Sequence, residues 1–218
     1  MGEALKLVIW GSGGHARVVA DIVHQVGKYA IQGFLDDLHR ERHGTAMSGA
    51  TILGGREQLV TLRAAGVGHL IVAIGDCSAR VHLADAAVRA GFALARAIHP
   101  RAVVAEDCAI GAGSVIAAGA ILNPGTTCGE SVIINTAASV DHDNRIGDAA
   151  HIGPGACLGG YVTVGRAAWI GIGAVLRDRV SVGDGSIVGA GSVVVRDIPA
   201  GVVAYGVPAR VVRPVEPA

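Results

Sequence analysis

An aliphatic residue or cysteine recurs at every sixth position from Val104 to Val194, and this period constrains the fold more than any other feature of the chain. Small or β-branched residues follow most of these positions four residues later, with Asn144 as the polar exception. The period fits neither the turn of an α-helix nor the simple alternation of a strand. It is typical of a β-helix, in which each hexad is one short strand and one corner. Three hexads form one triangular coil, so the sequence predicts a prism of roughly five coils.

Composition agrees with a narrow β-coil and excludes several classes of function. The 218 residues are 51% hydrophobic but only 3% aromatic, with 33 glycines, which suits an interior too narrow for rings and corners that need a permissive backbone. Eighteen basic residues balance eighteen acidic ones, so neither a nucleic-acid partner nor an anionic membrane surface is predicted. No apolar run approaches the ~18 residues of a membrane span, and no signal-peptide pattern follows Leu5–Trp10. We expect a soluble cytoplasmic protein.

Strands and helices alternate before the repeats and predict a separate small α/β domain. Strands are predicted at 5–10, 30–35 and 69–74, and helices at 16–26, 58–65 and 79–90. His99-Pro100 marks the boundary with the hexads. The sequence therefore predicts an α/β domain at 1–98, a β-helix at 99–197 and a C-terminal tail at 198–218.

A glycine-rich segment, Gly11-Ser12-Gly13-Gly14-His15-Ala16, follows the first predicted strand and opens a helix. Backbone amides at such a helix N-terminus can hold a phosphate or pyrophosphate. The segment also satisfies the dinucleotide pattern G-x-G-x-x-A, with Asp36 about 20 residues further on. About three predicted strands are few for a doubly wound dinucleotide fold, which favours a nucleotide sugar over NAD.

Two histidines lie within the repeats, His142 and His151. Asp141 and Asp143 flank His142, and a carboxylate can orient an imidazole and raise its basicity, as a general base requires. The alternative is that both histidines are solvated or capping residues. Nine residues separate them, so we expect them on different sides of one prism but able to share a cleft between prisms. Three-fold packing is a closed arrangement for such solenoids, and we expect a homotrimer.

Metal binding is not expected. The four cysteines show no CxxC pair and no metal-ligand spacing, and Cys128 stands at an inward position, where a thiol serves as a small hydrophobe. Zinc needs three or four ligands, and two histidines in the repeats fall short of that number. A zinc hydratase with metal between subunits remains an alternative.

The glycine-rich turn, the hexads, Asp141-His142-Asp143 and Gly206-Val207-Pro208-Ala209 together resemble bacterial nucleotide-sugar N-acetyltransferases. These are hexapeptide-repeat acyltransferases that acetylate 4-amino-4,6-dideoxy sugars, and sialic-acid O-acetyltransferases look similar. The resemblance covers nearly the whole chain. It implies a small Rossmann-like α/β unit, an all-β left-handed parallel β-helix, a trimer, and acetyl-CoA as co-substrate.

The resemblance also implies roles for individual residues. His142 matches the catalytic base, and Asp143 matches its acidic neighbour, which is often glutamate in the family. The residues implied in acetyl-CoA binding are His151, Ile172 and Ala190. Those implied in nucleotide-sugar binding are Gly13, Gly14, His15, Asp36, Asp37, Ile74 and Gly75.

The predicted reaction is direct acetyl transfer to the 4-amino group of a nucleotide-linked sugar. His142 takes the proton, Asp143 or Asp141 orients the ring, and His151 or a backbone N–H stabilises the oxyanion. O-acetylation of a sialic acid or related hydroxyl is the alternative, because these residues do not distinguish an amine from a hydroxyl. A non-catalytic trimeric scaffold or a dinucleotide-binding regulator is a third interpretation, which leaves Asp141-His142-Asp143 unexplained. The nucleotide, the sugar and the size of the acyl group stay open.

Overall fold

The computed structural model describes residues 4–216, and the chain divides into two compact units between Pro100 and Arg101. Each unit is described separately below. Within the described residues, none of the helices combines the length and the apolar character needed to cross a membrane.

The first unit is built on a six-stranded, mainly parallel sheet. Its strands are β1 Leu5–Trp10, β2 Tyr29–Leu35, β3 Ala46–Met47, β4 Ala50–Gly54, β5 His69–Val72 and β6 Ala93–Leu94, and β7 Ala97–Ile98 follows. Its helices are α1 Gly14–Val26, α2 Leu59–Ala64 and α3 Cys77–Arg89, with 3-10 turns at Arg40–Arg42 and Arg56–Gln58. The sheet order is β3-β4-β2-β1-β5-β6, and only the β3–β4 pair is antiparallel. The carboxyl ends of β1, β2 and β5 therefore meet at one edge of the sheet.

Among the differences between the first unit and the sequence prediction, two have a clear physical reason. The expectation of about three strands is wrong. Strands β3 and β6 have two residues each, too few for hydrophobic alternation to be recognised, and the five residues of β4 do not alternate between apolar and polar. Helix α3 begins at Cys77 rather than 79, because Asp76 caps it: the Asp76 Oδ1 accepts a hydrogen bond from the Ala79 N–H at 2.7 Å.

The second unit is a β-helix of two-residue strands. These are β8 Val103–Val104, β9 Ala109–Ile110, β10 Val115–Ile116, β11 Ile121–Leu122, β12 Thr127–Cys128, β13 Ile133–Ile134, β14 Ser139–Val140, β15 Arg145–Ile146, β16 His151–Ile152, β17 Cys157–Leu158, β18 Thr163–Val164, β19 Trp169–Ile170, β20 Val175–Leu176, β21 Ser181–Val182, β22 Ile187–Val188 and β23 Val193–Val194. Each pairs in parallel with the strand one coil further on, as Ile134 of β13 does with Ile152 of β16. Three faces result: β10-β13-β16-β19-β22, β8-β11-β14-β17-β20-β23 and β9-β12-β15-β18-β21.

The second residue of each strand fills the interior of the coil. From Ile116 to Val194 every such residue is at most 5% exposed, including Cys128 at 5%. Full burial of an aliphatic side chain contributes about 1.5–3 kcal/mol, so the regular hexad row is the main source of stability. The predicted left-handed parallel β-helix and small α/β unit are both confirmed.

The corners of the β-helix adopt a left-handed backbone at every sixth residue from Gly113 to Gly191. Half of these fourteen corners are glycine, which adopts positive φ without steric cost. The others are Ser131, Ala137, Asp143, Ala149, Tyr161, Ala167 and Arg179. Asp143, Tyr161 and Arg179 are spaced by one coil each, so their side chains occupy one corner of three successive coils.

The segment predicted only as a tail forms an antiparallel hairpin of β24, Val202–Gly206, and β25, Ala209–Pro214. Strand β24 pairs in parallel with β22, so the hairpin extends one face of the β-helix.

Candidate active site

His142 lies in the turn after β14, between two carboxylates with different tasks. Its Nδ1 is 2.8 Å from the Asp143 Oδ2, and its backbone N–H donates to the Asp141 Oδ1 at 2.8 Å. Asn123, one coil earlier, also donates to the Asp141 Oδ1, at 3.0 Å. The structure therefore places Asp143 against the imidazole, while Asp141 fixes the backbone of the turn.

These contacts set the charge of the site. The hydrogen bond from His142 holds the pKa of Asp143 below its ordinary value. The backbone N–H of His142 and the amide of Asn123 lower the pKa of Asp141. Both carboxylates are ionised near neutral pH, and an ionised carboxylate only accepts hydrogen bonds. The His142 Nδ1 is therefore the donor, which leaves Nε2 as the acceptor that a general base needs.

Asn144 fastens this turn from inside the coil. It is fully buried, and its Nδ2 donates to the carbonyl oxygens of Asp141 at 2.6 Å and Gly159 at 2.9 Å, with a longer contact of 3.3 Å to the carbonyl of His142. The polar exception in the hexad pattern thus ties the His142 turn to the next coil.

Gly160 makes room for the imidazole. It lies one coil after His142, and a Cβ at this position would be 2.6 Å from the His142 Nε2. A side chain here would displace the ring, so the site requires glycine. The sequence analysis did not assign Gly160, although the coil period identifies it as the neighbour of His142.

Tyr161 and Arg179 complete the surroundings of the pair, and the sequence analysis missed both. The Tyr161 and His142 ring centroids are 5.1 Å apart at an interplanar angle of 89°, an edge-to-face contact. The Arg179 guanidinium lies 4.7 Å from the centroid of the Tyr161 ring. Tyr161 lies one coil and Arg179 two coils after Asp143, and this spacing is the signal that could have found them.

A pocket of about 590 Å³ opens beside His142. Gly160, Tyr161, Cys157 and Arg179 contribute to its walls. His142 is 48% exposed at its side chain, so its imidazole is open to a reactant in this space. Within this chain, the walls of the pocket include the accessible imidazole of His142, the Asp141 carboxylate and an exposed thiol at Cys157.

The residues implied in acetyl-CoA binding do not line this pocket within one chain. His151, in β16, is 7% exposed and stacks on Trp169 with ring centroids 6.0 Å apart. Its Nε2 is 3.0 Å from the Asn135 Nδ2. The Asn135 Oδ1 accepts from the Thr136 N–H, so the Asn135 amide presents Nδ2 to His151 as a donor.

Ile172 and Ala190 occupy equivalent positions in successive coils, and both are exposed. Ile172 is 60% exposed, which is high for a large aliphatic side chain. The roles of His151, Ile172 and Ala190 in acetyl-CoA binding stay predictions. Residues 4–216 hold no group of three or more His, Cys, Asp or Glu arranged to bind a metal ion.

In the first unit, all seven residues implied in nucleotide-sugar binding line one pocket of about 510 Å³. The pocket lies beyond the carboxyl ends of β1, β2 and β5, where ligands of parallel sheets bind. Gly13 is the N-cap of α1, so the backbone amides of the first helical turn border the same space. Gly11 allows the strands to approach closely here, because a Cβ would lie 2.6 Å from the carbonyl oxygen of Ala73.

The two carboxylates in this pocket are each held by neighbouring side chains. Burial alone would raise the pKa of Asp36, but hydrogen bonds from the Ser12 hydroxyl and the backbone N–H groups of His39 and Leu38 lower it to about 2. Arg42 donates to the Ser12 hydroxyl at 2.8 Å and lies 3.6 Å from the Asp36 carboxylate.

Asp37 pairs with Arg56, whose Nη2 is 2.9 Å from the Asp37 Oδ2. The guanidinium of Arg56 also lies 5.9 Å from the Trp10 ring centroid. Asp36 and Asp37 thus orient Arg42 and Arg56 at the pocket, two cations that the sequence analysis did not assign.

The fold and the site together define a class. The hexapeptide repeats form a β-helix that carries an accessible imidazole–carboxylate pair. The α/β unit has a pocket suited to a phosphate group. Together these are the features of an acyltransferase of the hexapeptide type. Two family models agree: the PglD N-terminal domain matches residues 6–87, and the bacterial transferase hexapeptide (six repeats) matches residues 161–196.

Solved structures similar to this chain narrow the class further. A histidine-to-asparagine mutant of perosamine N-acetyltransferase from Caulobacter crescentus, in complex with CoA and GDP-perosamine, is 41% identical over 94% of this chain and 96% of its own, with a TM-score of 0.91. The acetyltransferase domain of PglB from Neisseria gonorrhoeae, in complex with acetyl coenzyme A, is 38% identical over 96% of this chain and 100% of its own, with a TM-score of 0.89. The chain belongs to the nucleotide-sugar acetyltransferases of the hexapeptide-repeat superfamily.

Proposed function

We propose that the protein transfers an acetyl group from acetyl-CoA to the 4-amino group of a nucleotide-linked 4-amino-4,6-dideoxy sugar. The observation that carries the proposal is the contact between the His142 Nδ1 and the Asp143 Oδ2, which leaves an accessible Nε2 at the pocket. The likeness to an enzyme bound to CoA and GDP-perosamine supports this acceptor class and makes a GDP-linked sugar the first to test.

The proposed reaction is a direct transfer. The sugar amine attacks the thioester carbonyl, the His142 Nε2 accepts the amine proton, and a hydrogen-bond donor stabilises the oxyanion. The C–S bond then breaks, and the departing CoA thiolate receives the proton. Asp143 keeps the imidazole in the Nδ1–H tautomer throughout, as the partner of an ionised carboxylate. No enzyme nucleophile is required, because the thioester is already activated.

Each region has a proposed task. Residues 1–98 bind the nucleotide sugar through the pocket that contains Gly13, Gly14, His15, Asp36, Asp37, Ile74 and Gly75. Residues 99–197 bind acetyl-CoA and carry the base, with His151, Ile172 and Ala190 contacting the co-substrate. The family resemblance also supports a homotrimer. Within the C-terminal tail, the β24–β25 hairpin extends one face of the β-helix.

The test is thiol release from acetyl-CoA with a panel of GDP-, UDP- and dTDP-linked 4-amino sugars. Product isolated from the active reaction should contain an amide at C4, identified by NMR and mass spectrometry. Thiol release with a sialic acid, and an ester in the product, would replace this proposal by O-acetylation. Thiol release with none of these acceptors would refute both.

A further inference from the structure

A buried arginine lies behind one wall of the pocket in the first unit. Arg80, in the first turn of α3, is fully buried and is not one of the residues that line the pocket. Burial lowers its pKa, but an arginine keeps its positive charge in a protein. A buried charge is costly unless polar groups surround it. The groups that contact the guanidinium therefore indicate its role.

Three consecutive carbonyl groups converge on the Arg80 guanidinium. Its Nη1 donates to the carbonyl oxygens of Ile74 and Gly75, both at 3.0 Å, with a longer contact of 3.3 Å to that of Asp76. The Arg80 backbone N–H also donates to the Asp76 carbonyl oxygen, at 3.0 Å. Hydrogen bonds from a charged donor are stronger than those between neutral groups. Arg80 therefore holds the segment 74–76, between β5 and α3, from inside the unit.

The same segment forms part of the pocket wall. Ile74 and Gly75 line the pocket, and Gly75 is exposed. A Cβ at Gly75 would meet no atom within 4 Å beyond its chain neighbours, and its φ does not lie in the left-handed region. The bare backbone of Gly75 thus borders open space, where a ligand can approach it closely. Ala73, just before the segment, is fixed to β1, because its N–H donates to the Trp10 carbonyl oxygen at 2.7 Å.

We propose that Arg80 is a positioning residue for the nucleotide-sugar pocket. From behind the wall, its guanidinium fixes the carbonyl groups of the segment 74–76 and so sets where the backbone of Gly75 meets the ligand. Arg80 is fully buried and does not touch the ligand itself. The identity of the ligand rests on the proposed function. Because His142 lies in the second unit, Arg80 should affect binding of the nucleotide sugar and not the chemical step.

The kinetic test compares wild type with Arg80→Met, which removes the donors and keeps a long side chain. We expect KM for the nucleotide sugar to rise about tenfold, with kcat and KM for acetyl-CoA within about twofold, since charged hydrogen bonds to the pocket wall are lost. Arg80→Lys keeps the charge on a shorter side chain, so its KM for the nucleotide sugar should rise about threefold. The lysine variant decides the test if Arg80→Met does not fold.

Arg63→Met is the matched control. The Arg63 Nη1 also donates to a carbonyl oxygen of the first unit, that of Val67 at 2.8 Å, but Arg63 does not line the pocket. This variant should keep the wild-type KM for both substrates. Thermal unfolding of each variant gives the temperature range in which all of them are folded, and the kinetics are measured there.

The second test measures binding without turnover by isothermal titration calorimetry, with GDP, UDP, dTDP and acetyl-CoA as probes. The nucleotide that wild type binds should bind about tenfold more weakly to Arg80→Met and equally to Arg63→Met, and acetyl-CoA should bind all three proteins alike. Equal nucleotide affinity in Arg80→Met and wild type overturns the proposal. A parallel loss of acetyl-CoA affinity also overturns it, because the substitution would then damage the protein as a whole.

The two tests separate this proposal from the proposed function. Thiol release by wild type with an unchanged KM in Arg80→Met overturns the role of Arg80 and leaves the acetyl transfer intact. Nucleotide binding by wild type without thiol release refutes the acetyl transfer, and the nucleotide affinity of Arg80→Met then decides the role of Arg80. Binding of none of the three nucleotides by wild type overturns the role of Arg80.

Discussion

At the residue scale, the position of His142 depends on two neighbours in its own turn and on a glycine one coil later. Asp143 contacts the ring, Asn144 fastens the turn from the interior, and Gly160 leaves the space that the ring occupies. Asp143 and Asn144 are neighbours of His142 in the sequence, whereas Gly160 is its neighbour only across one coil. Substitutions of Asn144 and Gly160 therefore change the position of the His142 imidazole without removing the base itself.

Gly160→Ala should displace the imidazole while the fold persists. Its Cβ would lie 2.6 Å from the His142 Nε2, and Gly160 lacks the left-handed φ that would exclude alanine. Misplacement of a catalytic group by about 1 Å can cost roughly 10²-fold, so we expect a fall in kcat of that order. Steady-state kinetics measures it, with Gly68→Ala as the control. Equal kcat in Gly160→Ala and wild type would show that this ring position is not the productive one.

Asn144→Ala should reduce both stability and activity. It leaves the carbonyl groups of Asp141 and Gly159 without their buried donor, which costs about 1–3 kcal/mol of the free energy of unfolding. Denaturant unfolding measures this loss, and kcat should fall because the His142 turn loosens. Ser186→Ala removes another buried polar group that bonds to backbone, so it should lower stability but not kcat. Parallel losses in the two variants would contradict a specific role for Asn144.

At the scale of elements, the ends of adjacent parallel strands create the pocket of the first unit. Ser12 follows β1 and Asp36 follows β2, and their hydrogen bond joins the two strand ends. Arg42, from the 3-10 turn at Arg40–Arg42, contacts both residues. Because these bonds need an ionised Asp36, the pocket is linked to pH.

The first unit should lose stability in acid as Asp36 is protonated. Its folded pKa of about 2 lies below the unfolded value of 3.8, so the stabilisation is complete above pH 4 and disappears as the pH falls through about 2. The loss is about 2 kcal/mol. Trp10 fluorescence in a Trp169→Phe background follows this unit, and Asp36→Asn should flatten the profile between pH 4 and 2 while Asp21→Asn does not. Identical profiles for Asp36→Asn and wild type would contradict the linkage.

At the scale of the whole molecule, the sequence predicts the periodic positions of the β-helix. It misses some strands of the first unit and the contacts between successive coils. The hexad rule placed Cys128 inside the coil, where burial raises the pKa of its thiol to about 12. Strands β3 and β6 were missed because they have two residues each, and β4 because its residues do not alternate between apolar and polar. Gly160 and Tyr161 were missed because they adjoin His142 across one coil, and Arg179 was missed because it adjoins Tyr161 across the next, although the coil period contains that information.

A homotrimer remains our prediction for the assembly. The face of β8, β11, β14, β17, β20 and β23 presents apolar residues, with Val103 62%, Ile121 38% and Val175 45% exposed. Such a face is buried when prisms associate. Sedimentation equilibrium should give three times the 21.9 kDa of the chain, and Ile121→Asp should lower the mass. Thr127→Asp, on another face, should leave it unchanged. A fully active monomer would contradict the prediction.

The central claim is that His142 is the base of an acetyl transfer to a sugar amine. Its most direct test is the single-turnover rate of His142→Asn beside wild type, with acetyl-CoA and the amino sugar nucleotide that wild type accepts. We expect the variant to fold and to bind both substrates, and its rate to fall about 10²–10⁴-fold, the usual contribution of a general base. A rate for His142→Asn equal to that of wild type would contradict the assignment of His142 and the mechanism built on it.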